Sequence, residues 1–79
     1  MKTSTQALVA QAVRVQRVRA GISSDAELAR RAGMDASALS RRLNGGLRMD
    51  LTDVETLAQA LGIDPFELLD LARTERAAA

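Results

Sequence analysis

The side chains best suited to recognition chemistry lie in one stretch of the chain, residues 36–48, which contains three arginines, two serines and an asparagine. Arg41, Arg42 and Arg48 each carry a planar, permanently charged guanidinium that can donate two parallel hydrogen bonds. Paired acceptor atoms that match this geometry occur on carboxylates, on phosphates and on the edges of bases. The stretch therefore offers binding chemistry for an anionic or acceptor-rich partner.

Catalytic chemistry has few parts to work with in this sequence. Its 79 residues include no His, Cys, Tyr or Trp, which removes the commonest general base, the thiolate nucleophile and the usual soft metal ligands. There is no glycine-rich phosphate loop, and the acids look like helix caps and solvated faces. We expect no enzyme, no metal site, no cofactor and no small-molecule ligand.

The net charge of +1 hides a polarised chain. Residues 1–48 hold nine Lys or Arg against three Asp or Glu, a balance of +6, whereas residues 49–79 hold two against seven, a balance of −5. A basic lobe that meets phosphates is one interpretation, and solvated helix faces are the other. Charge alone does not decide between them.

Two short predicted helices position the recognition side chains. The first, residues 25–32, has Ser24 as its N-cap and Gly33 at the point where it must stop. The second, residues 36–44, follows the N-cap Asp35. Small residues between the helices allow a close crossing and a sharp reversal. This is the plan of a helix-turn-helix, whose second helix lies in the major groove of DNA.

One face of the second helix is predicted to read bases. If Leu39 points into the core, Ser37 and Arg41 lie about 160° away from it and Asn44 about 140° away. Arg41 is the long donor on this outward line and can reach guanine O6 and N7. Ser40 lies on the flank. The alternatives are a solvated Arg41 and an Asn44 that serves only to end the helix.

The remaining pattern predicts an all-α fold, a compact bundle of five short helices in a single domain over residues 1–79. The other three helices are expected at about residues 5–20, 51–61 and 65–72, with residues 1–4 and 74–79 flexible. In the first helix Leu8, Ala12, Val15 and Val18 form a stripe that Val9 and Val13 widen, either as a broad core face or as a surface for a partner subunit. In the fifth, Phe66 and Leu69 are predicted to face inward, and Leu68 and Leu71 are surplus, which suggests a homodimer through this helix.

Two stretches carry a resemblance to a known family. They are GISSDAELARRAGMDASALSRRLNG from Gly21 and DLTDVETLAQALGIDPFELL from Asp50. From about Val13 to Leu71 the chain resembles the helix-turn-helix domain of the phage repressor and Cro proteins and of the xenobiotic-response-element regulators. The resemblance implies a lambda-repressor-like fold that binds double-stranded DNA, with base contacts at Ala36, Ser37, Ser40 and Arg41 and backbone contacts near Asn44 and Arg48.

Three departures from the family pattern bear on the site. Asp25 stands where the family often has a Gln that clamps a phosphate, so that role is expected to be lost or to pass to Ser23, Ser24 or backbone amides. Arg42 stands at a usually apolar position, and we expect its stem to cover the core while its charge reaches the rim. One extra residue separates Gly21 from the motif.

The sequence therefore predicts a cytoplasmic, sequence-specific DNA-binding regulator of transcription, most simply a small phage or bacterial repressor without a membrane segment. Two alternatives stay open: an antitoxin that represses its own operon, and a repressor-like domain that binds protein. The predicted DNA-binding residues are Ser24, Ala36, Ser37, Ser40, Arg41, Arg42, Asn44 and Arg48.

Overall fold

The computed structural model describes the backbone of residues 4–78 and the side chains of residues 4–76. This part of the chain forms five α-helices and no strand, which confirms the all-α prediction. The helices are α1 (Thr5–Arg19), α2 (Asp25–Ala32), α3 (Ala36–Leu43), α4 (Leu51–Leu61) and α5 (Pro65–Ala78). None of the described helices is long and apolar enough to cross a membrane. The flexibility predicted for residues 1–3 and 79 lies outside the described residues.

Local caps fix the ends of the central helix pair. The Ser24 hydroxyl accepts a hydrogen bond from the Glu27 amide at 3.1 Å, and the Asp35 carboxylate accepts one from the Ala38 amide at 2.9 Å. Gly33 ends α2 with φ of 70°, a left-handed conformation that costs glycine little. These short-range bonds explain why the bounds of α2 and the start of α3 agree with the prediction. The end of α3 was predicted one residue too late, since Asn44 is its C-cap.

The core is a single apolar cluster to which all five helices contribute. Its largest fully buried side chains are Val13, Leu28, Leu39, Leu57 and Leu68. The broad core face of α1 is confirmed for Val9 and Val13. The buried residues of this helix are Leu8, Val9, Ala10, Ala12 and Val13. Val18, predicted to continue the stripe, is 66% exposed.

Two predictions for α5 are wrong. Phe66 is 75% exposed, not inward-facing, while Leu68 is fully buried, not surplus to the core. Leu68 and Ala72 are spaced by four residues and share the inner face, with Leu69 and Leu71 half-buried beside them. The homodimer predicted through α5 therefore loses Leu68, one of the two residues on which the prediction rested, and stays a prediction.

The C-terminal segment predicted to be flexible continues α5 as far as Ala78. Contacts to α1 hold this extension in place. Glu75 accepts a hydrogen bond from Gln11 Nε2 at 2.9 Å, and Arg76 donates to the Thr5 hydroxyl at 3.0 Å. No local pattern predicts these bonds, because each joins residues more than sixty positions apart.

Candidate nucleic-acid interface

The outward face of α3 carries the side chains that the helical period predicts. Leu39 and Leu43 are buried against the core, while Ser37 and Arg41 are exposed on the opposite side. Ala36, at the start of the helix, is also exposed, and Ser40 is half-buried on the flank. The helix packs against α2, which orients it as a unit.

The loop after α3 folds back onto the helix and carries Arg48 with it. The amides of Gly46 and Leu47 both donate to the carbonyl oxygen of Arg41, at 2.8 and 3.2 Å. Arg48 follows directly and is exposed. Arg41 and Arg48 therefore lie at the same end of α3, one on the helix and one on the loop.

Gln6 fixes that loop to α1, a role that the sequence did not reveal. Its Nε2 donates to the carbonyls of Arg42 at 2.9 Å and Leu47 at 2.7 Å, and its Oε1 accepts from the amide of Met49 at 3.1 Å. One side chain thus satisfies three backbone groups of an irregular segment, which would otherwise need water. The partners are about forty positions away in sequence, so no local pattern indicates them.

Intramolecular pairing divides the arginines of the basic lobe into two sets. Within residues 4–48, five form ion pairs: Arg14 and Arg17 with Asp25, Arg30 and Arg31 with Glu27, and Arg42 with Asp53. In the same range, Arg19, Arg41 and Arg48 form no ion pair with a described acid. The charge available to an outside partner is thus smaller than the sequence count implies, and two of the three unpaired cations flank the end of α3.

Arg42 joins α3 to α4 through its charged end. Its Nε lies 3.1 Å from Oδ2 of Asp53, and the two side chains are only 25% and 16% exposed. The same Asp53 oxygen accepts a hydrogen bond from the amide of Asp50 and so closes the capping box of α4. The guanidinium of Arg42 is therefore directed towards the protein, whereas the sequence interpretation extended it to the rim.

Asp25 is also turned towards α1. Its carboxylate lies 3.5 Å from Arg14 Nε and 3.1 Å from Arg17 Nε. Arg14 then donates from NH2 to Asn44 Oδ1 at 3.2 Å, and Arg17 donates to the Ile22 carbonyl at 2.7 Å. Arg14 thus bridges the first residue of α2 and the residue that ends α3.

Comparison with known proteins agrees with this geometry. A family model described as a helix-turn-helix domain matches residues 8–72. The chain belongs to this helix-turn-helix family. Membership identifies it as a DNA-binding regulator.

A solved structure is similar to this helix-turn-helix protein over most of both chains. It is described as a hypothetical transcription factor, NHTF, from Neisseria, and it superposes with a TM-score of 0.76 at 33% sequence identity. The match covers 84% of this chain and 75% of that one. A search of curated proteins gave no match.

The polar face of α2 contains one acid that pairs with two arginines of the same helix. Glu27 accepts hydrogen bonds from Arg30 and Arg31 within the same helix. The hydrogen bond from Arg30 has the largest effect and that from Arg31 the next, and they lower the pKa of Glu27 from 4.5 to about 2. The hydrogen bond with Glu27 in turn raises the pKa of Arg30. Arg30 and Arg31 are consequently engaged before any partner arrives.

The Glu27 carboxylate should titrate well below the ordinary range. Because its pKa is lowered in the folded state, its stabilising effect is complete above about pH 4.5 and should be lost as the pH falls towards 2. An NMR titration of the side-chain carboxyl carbon should show a midpoint near pH 2. In the Glu27→Gln variant, the free energy of unfolding should lose the share of its pH dependence below pH 4.5 that comes from Glu27. A Glu27 midpoint near 4.5 would contradict the ion-pair geometry.

Proposed function

We propose that this protein reads a specific double-stranded DNA sequence by placing α3 in the major groove and acts as a small transcriptional repressor. One observation carries the proposal: the outward line of α3 presents Arg41 and the adjoining loop presents Arg48, both exposed and neither in an ion pair with a described acid. A helix that offers one long donor to base edges, next to a second cation at the backbone, suits this mode of binding.

The proposed contacts divide by reach and chemistry. Arg41 is assigned to a guanine, with Ala36, Ser37 and Ser40 near neighbouring bases. Arg48 is assigned to a phosphate, and Asn44 and Ser24 lie where the backbone would pass. Ser24 uses its hydroxyl as an acceptor in the N-cap, which leaves its O–H free to donate. Arg42 is assigned to holding α3 on α4 rather than to DNA, because its charge is already paired.

Selection from a pool of random duplexes tests this proposal. We expect one short motif that contains a guanine to be enriched, and Arg41→Ala to abolish preference for that guanine while the domain stays folded. The matched control is Arg19→Ala, since Arg19 is exposed on α1 and lies outside the proposed contact set. If the parent protein binds no duplex even at low salt, DNA reading is wrong and a protein-binding role for the domain is favoured.

A further inference from the structure

The ion-pair cluster at the start of α2 includes two arginines of α1. Asp25 contacts Arg14 and Arg17, and the two guanidiniums differ in their surroundings. The Arg17 side chain is 18% exposed and donates to a backbone carbonyl, so it is part of the structure. Arg14 is 41% exposed and its only other described partner is the side chain of Asn44. Arg14 is therefore the arginine that could move.

The position of Arg14 places it beside any DNA that α3 contacts. Its guanidinium spans from Asp25 to Asn44, the residue at which α3 ends. In a helix-turn-helix the second helix contacts base edges with its N-terminal residues, while the first helix crosses the DNA backbone. Because Arg14 contacts Asp25, the first residue of α2, and Asn44, the residue at which α3 ends, it lies on the side that this docking mode turns towards the backbone.

We propose that the ion pair with Asp25 keeps Arg14 from contacting a DNA phosphate and so limits the affinity of this protein for DNA. While the carboxylate is present, it holds Arg14 together with Arg17, and its charge offsets one of these two positive charges next to the backbone. Without it, the Arg14 guanidinium becomes available to a phosphate oxygen, for which its paired donors are well suited. Asp25 would thus keep binding to random DNA weak and leave discrimination to the outward face of α3.

This inference rests on the proposed function, and its test separates the two. Asp25→Asn keeps the size of the side chain and removes its charge. We expect it to tighten binding to a random duplex about three- to tenfold near 0.1 M salt and to steepen the salt slope by about 0.9, the value for one additional phosphate contact. Glu67→Gln is the matched control, because it removes the same charge on α5, which packs on α1 and α4. It should change the affinity by less than twofold.

A double-mutant cycle tests the role of Arg14. Asp25→Asn should give its full gain in a background with Arg14 and less than a twofold gain in the Arg14→Ala background. If the gain is equal in both backgrounds, Asp25 acts by repelling phosphates alone and the assignment of Arg14 is wrong. If the neutral variant gains nothing although the parent binds, the whole inference is wrong.

Two further measurements keep the test decisive. Circular dichroism establishes that each variant is folded, and Asp25→Ser replaces Asp25→Asn if the latter unfolds, because serine is also small, polar and uncharged. In an NMR titration with duplex, the Arg14 Nε–H signal should shift in the neutral variant and stay in place in the parent. If the parent and all variants fail to bind at low salt, the proposed function itself fails, which is a different result from parent binding without a gain.

Discussion

Leu68→Ala is expected to lower the free energy of unfolding by about 2–5 kcal/mol, because it removes a fully buried leucine and leaves a cavity in the core. A domain of this size has a total stability of roughly 4–12 kcal/mol, so the loss would be a large part of the whole. Urea denaturation followed by circular dichroism measures the change. Leu68→Glu should leave little folded protein, since it would bury a charge without a partner.

Phe66→Ala is the matched control on the same helix. Phe66 is larger than Leu68 and lies two positions away, but it is 75% exposed, so its removal should change stability by no more than about 0.5 kcal/mol. Equal losses at the two positions, or a larger loss at Phe66, would contradict the orientation of α5. The pair therefore tests the register of the helix and not only the tolerance of the core.

Arg41→Ala is expected to cost about 1–3 kcal/mol on the preferred DNA sequence and little on random DNA, because it removes a bidentate contact to one base. Arg48→Ala should instead weaken all duplexes alike and reduce the magnitude of the salt slope by roughly one unit. Competition between specific and random duplexes at several salt concentrations measures both. Neither change should unfold the domain, since both side chains are exposed.

The two profiles can fail independently. If Arg41→Ala weakens binding to both kinds of duplex equally, Arg41 contacts a phosphate, and specificity must come from Ser37, Ser40 or the shape of the DNA. If Arg48→Ala changes specificity at one position, Arg48 reads a base. Arg42→Ala should differ from both, because it breaks the ion pair with Asp53. It should lower the free energy of unfolding and remove no direct contact to DNA.

The features predictable from the sequence are those set by neighbours within a few residues. Ser24, Gly33 and Asp35 determine where α2 and α3 begin or end through bonds to residues three or four positions away. The outward direction of Arg41 follows from the helical period once Leu39 is assigned to the core. Local chemistry was therefore sufficient for the helix pair and for its recognition face.

Features set by distant contacts could not be predicted. Apolar residues at positions 66, 68, 69, 71 and 72 surround most of the circumference of α5, so the pattern allows more than one register, and only packing against the rest of the core selects Leu68. The basic residues can be counted in the sequence, but the sequence does not show which of them form ion pairs. Asp25 forms ion pairs with arginines eleven and eight positions earlier, and Gln6 bonds to a loop about forty residues later.

The packing of α1 against α5 has a consequence for the order of folding. α2 contacts both α3 and α4, which follow it along the chain, so these contacts can form early. α1 packs mainly against a helix some sixty residues away, to which Gln11 and Thr5 bond directly. Closing that long loop costs more chain entropy than forming the contacts of α2. During synthesis α1 would therefore remain without its main partner until α5 has emerged from the ribosome. In that interval the apolar face with Leu8 and Val9 would be exposed, and it could aggregate or bind chaperones.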